Sequence, residues 1–81
     1  MLVELTEKAI KDLGKIDKHN ALKIFSKIEK LEEFPKVANL KKLTNFIPPY
    51  RLRVGDYRVL FNIQDNIIIV HRVRHRKDVY N

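Results

Sequence analysis

The residues of this chain with the clearest chemical potential are its arginines. All six lie between Arg51 and Arg76, whereas the first 49 residues contain ten lysines and no arginine. A guanidinium group is a planar fork that binds phosphate through paired hydrogen bonds, while a lysine ammonium is a flexible and strongly hydrated point charge. The carboxy-terminal third of the chain is therefore predicted to bind an anion.

The overall charge favours a polyanionic partner. Seventeen lysine and arginine residues against ten aspartate and glutamate residues give a formal net charge of +7. Nucleic acid, an acidic membrane surface and an acidic protein are all compatible with such a charge. Composition alone does not choose among these three classes of partner.

Several kinds of site lack the residues that they need. Without cysteine the chain has no disulfide framework, no thiolate zinc site and no cysteine nucleophile. The acidic residues after position 49 are three well-separated aspartates, so no metal and no cofactor are expected. Neither a secretory leader nor a bilayer-spanning apolar run is found, which predicts one cytoplasmic domain over residues 1–81 with no membrane partner.

Two amphipathic helices are predicted in the first half of the chain. The first can begin after the cap Thr6 and end at Gly14, and the second can begin after the cap Asp17 and stop before Pro35. Their apolar stripes are Ala9, Ile10 and Leu13 in the first helix, and Ala21, Ile24, Phe25, Ile28 and Leu31 in the second. Residues 36–49 show no sustained period and are predicted to form a connecting loop.

From residue 50 onward the apolar period becomes two, which predicts β-strands. Gly55-Asp56 separates two alternating runs and suits a two-residue hairpin turn of type II′, because glycine tolerates the first central position. Such a turn sets Arg53 directly opposite Arg58, with Arg51 two residues along the same face. Three guanidinium groups would then converge on one face of the hairpin.

A third strand is predicted from Ile67 to about Arg74, and its register depends on the preceding turn. A three-residue loop would pair Arg58 with Arg72 and place Arg74 on the same face, whereas a two-residue loop would invert the strand. With the longer loop, the apolar face contains Leu52, Val54, Tyr57, Val59, Phe61, Ile67, Ile69 and Val73. The predicted fold is α+β, with an N-terminal helical hairpin packed on one face of a small antiparallel sheet.

The alternating arginines also have a simpler interpretation, since polar residues keep the outer face of an antiparallel sheet in water. That interpretation explains the alternation but not the use of arginine alone on this face. Two unit charges about 6 Å apart repel by about 3 kcal/mol at an effective dielectric constant of about 20, before screening by salt. A bound anion would reverse that repulsion, so we favour an anion site.

Cleavage of RNA is a phosphoryl transfer that these residues could support without metal. The neighbouring 2′-hydroxyl can attack the phosphate, and arginines can stabilise the extra charge that develops there. A guanidinium keeps its proton above about pH 12 and is a poor general base, so His75 and Tyr80 have more suitable proton chemistry. Tyr50, Tyr57 or Tyr80 could stack on a base, although Tyr80 could instead anchor the chain end.

Two segments of the chain resemble the RelE/ParE toxin superfamily, particularly its RelE branch. They are Tyr50-Arg51-Leu52-Arg53-Val54-Gly55-Asp56-Tyr57-Arg58-Val59-Leu60-Phe61 and His75-Arg76-Lys77-Asp78-Val79-Tyr80. The helical pair, the proline after it and Lys42-Leu43 extend the resemblance over nearly the whole chain. It implies a helical hairpin on one sheet face, a concave opposite face that cleaves messenger RNA in the ribosomal A site without metal, and a cognate antitoxin that blocks this activity.

The resemblance also implies roles for individual residues. Arg51 and Arg53 match a basic pair that serves in proton abstraction and charge stabilisation, and Arg58 matches an arginine that stabilises the phosphate. Arg74 matches a general acid, and Tyr80 matches a tyrosine that positions or stacks on the RNA. The basic pair is lysine in the best-known RelE branch and arginine at both positions here.

The resulting prediction is a ribosome-dependent, metal-independent mRNA endonuclease that acts as the toxin of a type II toxin-antitoxin system. Its partners would be the ribosome, mRNA in the A site and an antitoxin. The predicted catalytic residues are Arg51, Arg53, Arg58, Arg74 and Tyr80, with Arg72, His75 and Arg76 as RNA-binding residues that could also take over proton transfer. Two alternatives remain open: a ParE-like inhibitor of DNA gyrase and a noncatalytic RNA-binding module.

Overall fold

The computed structural model describes residues 1–79 and folds them into two α-helices and a five-stranded sheet. The helices are α1, Glu7–Gly14, and α2, Lys18–Glu29. The strands are β1, Leu2–Leu5; β2, Leu40–Lys42; β3, Tyr50–Val54; β4, Tyr57–Gln64; and β5, Ile67–His75. Short 3₁₀ turns cover Lys30–Glu33 and Arg76–Asp78. Within residues 1–79, neither helix has the length and apolar character needed to cross a membrane.

The strands lie in the order β1-β5-β4-β3-β2 across the sheet. β1 runs parallel to β5, and the other three pairings are antiparallel. The predicted α+β architecture is confirmed, but both edge strands were missed, and the prediction of a loop is wrong for Leu40–Lys42. Strands of three and four residues are too short to show an alternating period, and their pairing partners lie far away in the sequence.

The predicted caps begin both helices. The Thr6 hydroxyl accepts a hydrogen bond from the backbone N–H of Ala9 at 3.1 Å and donates one to the carbonyl of His71 at 3.0 Å. The Asp17 carboxylate accepts from the backbone N–H of Asn20 at 3.1 Å. These bonds satisfy donors that the first turn of a helix leaves without an intrahelical partner. The Thr6 bond to His71 also fixes the start of α1 against β5.

The hydrophobic core lies between the helices and one face of the sheet. Its buried side chains are Ala9, Ile24, Ile28, Leu31, Leu52, Val54, Val59, Phe61, Ile68, Val70 and Val73. Phe61 stacks on Tyr50 with ring centroids 5.1 Å apart, and Phe34 packs edge-on against both rings. Ile10 and Phe25, which the predicted stripes include, are 58% and 45% exposed. Ile10 follows the buried Ala9, and Phe25 follows the buried Ile24. Successive residues are turned by about 100° around a helix, which accounts for the exposure of both side chains.

The first hairpin has the predicted turn and register. Gly55 has a φ of 58°, a left-handed conformation that favours glycine. Val54 pairs with Tyr57, and Arg53 pairs with Arg58. The two-residue turn is therefore confirmed, and it brings two arginines together on the sheet face away from the helices.

The second hairpin turn contradicts the three-residue loop. Asp65 and Asn66 both have positive φ and form a two-residue turn, so that Gln64 pairs with Ile67. Further along, a bulge leaves His71 as an extra residue in β5. An extra residue on one strand reverses the direction of every later side chain on that strand.

The turn and the bulge together correct the predicted faces of β5. Before the bulge, each side chain of β5 faces the side of the sheet opposite to the predicted one. Ile68 and Val70 are therefore buried in place of Ile67 and Ile69. After the bulge, the side chains again face the predicted sides of the sheet, and Val73 faces the core. The arginine register is shifted as well, because Arg58 pairs with Arg74 and not with Arg72.

An ion pair that the sequence did not predict joins α1 to β5. Asp12 accepts hydrogen bonds from the guanidinium of Arg72 at 2.8 and 3.0 Å and from the backbone N–H of Val73 at 3.0 Å. Burial raises the pKa of the Asp12 carboxyl, but these bonds and the charges of Arg72 and Arg74 outweigh burial, so the pKa is lowered overall. The carboxylate form therefore stabilises the folded chain.

We expect Asp12→Asn to lower the free energy of unfolding by about 1.5–3 kcal/mol at pH 7, a typical value for hydrogen bonds to a charged group. Because the pKa of Asp12 is lower in the folded chain than in the unfolded chain, this stabilisation is present above the unfolded value, about 3.9. It is lost as the pH falls through the folded value. Urea unfolding at pH 7 and pH 3 should show that the difference between the two proteins shrinks in acid.

Asp65→Asn in the exposed second turn is the matched control, since it removes a carboxylate and retains a residue suited to positive φ. Its effect should be below about 0.5 kcal/mol at both pH values. An equal loss of stability in the two variants would contradict the role given to the bond between Asp12 and Arg72.

Candidate functional site

The sheet face away from the helices contains a cavity of about 380 Å³ that we call the cationic cavity. It is lined by Asn39, Leu40, Lys41, Arg51, Arg53, Arg58, Arg76 and Val79. Four arginines and one lysine contribute to this lining, and among residues 1–79 no aspartate or glutamate does. An anion in this cavity would meet positive charge from several directions.

The strand register explains why these cations converge. Lys41 on β2 lies opposite Arg51 on β3, and Arg53 on β3 lies opposite Arg58 on β4. Side chains that are directly opposite in an antiparallel pair point to the same face, with Cβ atoms about 5 Å apart. Two facing pairs of like charge are unfavourable in the free protein, and a bound phosphate would relieve that repulsion.

Arg51 is the buried member of the group, with 6% of its surface exposed. Its guanidinium donates to the carbonyls of Pro48 and Tyr50, and it lies over the ring of Phe46 at 5.6 Å. Charge-assisted hydrogen bonds and a cation–π contact compensate for part of the lost hydration. Arg51 is thus held in a fixed position at the wall of the cavity.

Arg53 and Arg58 are also positioned by hydrogen bonds from their guanidinium groups. Arg53 donates to the side-chain oxygen of Asn39 at 3.3 Å. Arg58 donates to the carbonyls of Gly55 at 2.9 Å and Tyr57 at 3.0 Å. Each guanidinium has five N–H donors, so these contacts fix the group while leaving further donors for a ligand.

Arg76 reaches the cavity from the C-terminal 3₁₀ turn, Arg76–Asp78. Its backbone N–H donates to the carbonyl of Asp56 at 2.7 Å, and its Nε lies 3.7 Å from the Asp56 carboxylate. Both side chains are more than 60% exposed, so the ion pair is weak and solvent-screened. The backbone bond positions the turn, while the Arg76 side chain can exchange Asp56 for an incoming anion.

The other basic candidates on β5 line a second cavity of about 400 Å³, beside the C-terminal end of α1. Arg72 is bound to Asp12, and Arg74 donates to the carbonyl of Asp78 at 3.1 Å. His75 packs edge-on against Tyr57, and its Nδ1 accepts from the backbone N–H of Lys77 at 3.2 Å. The predicted arginines and His75 are thus divided between two cavities, although Arg74 lies opposite Arg58 in the register.

Tyr50 and Tyr57, two of the three predicted base-stacking tyrosines, do not line the cationic cavity. Tyr50 packs against Phe34 and Phe61 in the core, and Tyr57 packs against His75. Tyr80 lies outside the described residues. Phe46, which is 40% exposed and contacts Arg51, is the aromatic ring beside the cavity that sequence reasoning did not single out.

Sequence reasoning also missed Asn39 and Lys41, because both lie in the stretch that was predicted to be a loop. A strand of three residues carries no periodic signal that would have singled out Lys41. In the structure its neighbour Lys42 points to the opposite face of the sheet, where its ammonium packs over the Tyr50 ring at 5.5 Å. Within residues 1–79, no group of three or more histidine, aspartate or glutamate side chains is placed to hold a metal ion.

Comparisons with known proteins agree with this architecture. Residues 3–80 match the family model of the ParE toxin of type II toxin-antitoxin systems. The toxin RelE3 of Methanocaldococcus jannaschii is 32% identical over 85 residues, which cover 100% of this chain and 97% of that protein.

Two solved structures have the same fold. A chain of the RelB-RelE antitoxin-toxin complex from Methanococcus jannaschii superposes with a TM-score of 0.76 at 29% identity, covering 99% of this chain and 95% of that one. A chain of the RelBE2 toxin-antitoxin complex from Mycobacterium tuberculosis gives a TM-score of 0.78 at 26% identity, covering 93% and 96%.

The fold and the site define a small α+β protein with two helices on one sheet face and a cationic cavity on the other. The chain belongs to the RelE/ParE superfamily of toxins from type II toxin-antitoxin systems.

Proposed function

We propose that this toxin is a ribosome-dependent endoribonuclease that cleaves mRNA in the ribosomal A site. The observation that carries this proposal is the cationic cavity, in which Arg51, Arg53, Arg58 and Arg76 converge with no acidic residue in the described lining. A cavity lined by several guanidinium groups suits the phosphates of a nucleic-acid backbone. The 32% identity to a RelE toxin supports the RelE branch of the superfamily.

The proposed reaction uses the RNA's own nucleophile. The 2′-hydroxyl attacks the adjacent phosphorus, the bond from O2′ to phosphorus forms, and the bond from phosphorus to O5′ breaks. The products are a 2′,3′-cyclic phosphate and a free 5′-hydroxyl, so no water is consumed in this step. Negative charge grows on the phosphate oxygens in the transition state, where fixed guanidinium donors stabilise it.

The individual roles follow from how each arginine is held. Arg58 and Arg53 face each other across the hairpin and bind the non-bridging oxygens of the scissile phosphate. Arg51, buried in the wall, supplies fixed positive charge, and Arg76 binds a neighbouring phosphate. Arg74 retains the expected role of proton donor to O5′, for which it must exchange its bond to the carbonyl of Asp78. Tyr80 retains the expected role of stacking on the RNA.

The proposed protein partner is a cognate antitoxin, since two of the similar toxins were solved in complexes with antitoxins. A net charge of +7 and a cavity whose described lining contains no acidic residue favour a partner that presents carboxylates to this face. Coexpression of the adjacent open reading frame should yield a copurifying complex and relieve growth arrest. Because ribosomes translating mRNA are the target, the proposed location is the cytoplasm.

A purified translation reaction tests the proposed activity. With ribosomes present, the protein should cut mRNA at the codon in the A site, and without ribosomes it should leave the same mRNA intact. A gyrase supercoiling assay runs in parallel, because the matched family model is that of a ParE toxin. Intact mRNA together with inhibited supercoiling would replace the proposal by gyrase inhibition, and binding to RNA without cleavage would replace it by a noncatalytic role.

A further inference from the structure

The cationic cavity contains many groups that stabilise charge but, among its arginines, none that readily accepts a proton. Four arginines line it, and a guanidinium stays protonated up to about pH 12 or beyond. Attack by the 2′-hydroxyl requires that its proton be taken up. The reaction therefore needs a different kind of group within the cavity.

We propose that Lys41 is the general base of the proposed cleavage reaction, an inference that rests on the proposed function. Lys41 is the lysine that lines the cationic cavity within the described part of the chain. It lies on β2 directly opposite Arg51, so its side chain projects onto the same sheet face as the arginines. A lysine amine, unlike a guanidinium, can lose its proton in water and act as a base.

Within residues 1–79, His75 and Asp56 are placed less well than Lys41 to accept the proton. His75 lies opposite Tyr57 and lines the second cavity, and its Nδ1 already accepts a hydrogen bond from the backbone N–H of Lys77. The Asp56 carboxylate is 67% exposed, lies close to Arg76 and is not part of the cavity lining. Lys41 lines the cationic cavity and carries an amine that can act as a base.

The proton balance of the step is simple. The neutral amine of Lys41 takes the proton of the 2′-hydroxyl as the bond from O2′ to phosphorus forms, and it becomes an ammonium. The electron pair of the broken bond goes to O5′, which takes a proton from a donor or from water. The new ammonium adds to the positive charge around the phosphate at the moment when negative charge develops there.

The test compares Lys41→Arg with Lys42→Arg in single-turnover cleavage of A-site mRNA. Both variants keep the charge, but only the first removes a group that can act as a base, since Lys42 packs on Tyr50 on the opposite sheet face. We expect Lys41→Arg to be slower by at least about 100-fold, and Lys42→Arg to stay within about threefold of the wild type. Both should bind programmed ribosomes as the wild type does.

Amine rescue separates catalysis from a structural role. For Lys41→Ala, added methylamine should restore part of the rate, with a greater effect at higher pH. Methylamine should not accelerate Lys42→Ala.

Failure of the role proposed for Lys41 can be distinguished from failure of the proposed function. If wild-type protein leaves A-site mRNA intact, the proposed function fails and the role of Lys41 fails with it. If the wild type cleaves and Lys41→Arg cleaves as fast, only the role of Lys41 is overturned. Loss of ribosome binding in Lys41→Arg, or no acceleration of Lys41→Ala by methylamine, would also overturn it.

Discussion

Replacing Arg58 with alanine should slow cleavage of A-site mRNA by about 100- to 1,000-fold, the usual cost of removing one fixed donor to a developing oxyanion. Arg58 lies opposite Arg53 in the hairpin, and its guanidinium is held by the carbonyls of Gly55 and Tyr57 before any ligand arrives. Such preorganised charge stabilises the transition state without reorganisation during the reaction. Single-turnover cleavage on programmed ribosomes, with far-UV circular dichroism to check the fold, measures this effect.

Two companion variants make the Arg58 result specific. Lys42→Ala removes a positive charge from the other face of the sheet and should change the rate by less than about threefold, because exposed charges there contribute little. Arg74→Ala should cost less than Arg58→Ala, since the Arg74 guanidinium is bound to the carbonyl of Asp78 and lines the second cavity. Equal losses for Arg58→Ala and Lys42→Ala would show that net charge, and not the cavity, determines activity.

Replacing Phe61 with alanine should lower the free energy of unfolding by about 3–5 kcal/mol. Phe61 has no exposed surface, stacks on Tyr50 and meets the edge of Phe34, so alanine leaves a cavity and removes two aromatic contacts. A domain of this size is typically stable by about 4–12 kcal/mol, at about 0.05–0.15 kcal/mol per residue. The variant should therefore retain only part of that stability.

Chemical denaturation at 25 °C measures the Phe61 effect, and Ile47→Ala is its control. Ile47 is 97% exposed, so truncating it should change stability by less than about 0.5 kcal/mol. A loss below about 1 kcal/mol in Phe61→Ala would contradict the aromatic cluster as a main support of the sheet. Phe61 and Arg58 both lie on β4. Near the midpoint of its unfolding, Phe61→Ala should therefore also cleave mRNA more slowly.

Much of the site could be predicted from local sequence because a tight turn determines the register of the strands beside it. Gly55 permits the positive φ of the turn, and the turn alone places Arg53 opposite Arg58. Caps are local in the same way, which explains why Thr6 and Asp17 were identified correctly. Each of these features depends on residues that are close together in the chain.

The features that could not be predicted depend on distant residues. The bulge at His71 lies where β5 pairs with β4 and where the His71 carbonyl accepts a hydrogen bond from Thr6, the cap of α1, and no single residue type predicts it. The bond between Asp12 and Arg72 joins residues 60 positions apart. Short edge strands such as β2 have no period of their own, and Lys41 was therefore missed as a site residue.

In the proposed mechanism, the RNA's 2′-hydroxyl attacks a phosphate held in the cationic cavity. The most direct measurement uses programmed ribosomes with mRNA that carries one 2′-deoxynucleotide on the 5′ side of the scissile phosphate. We expect the all-ribose mRNA to be cut and to leave a 2′,3′-cyclic phosphate, and the deoxy-substituted mRNA to resist cleavage at that bond. Cleavage of both mRNAs at the same rate would contradict this mechanism.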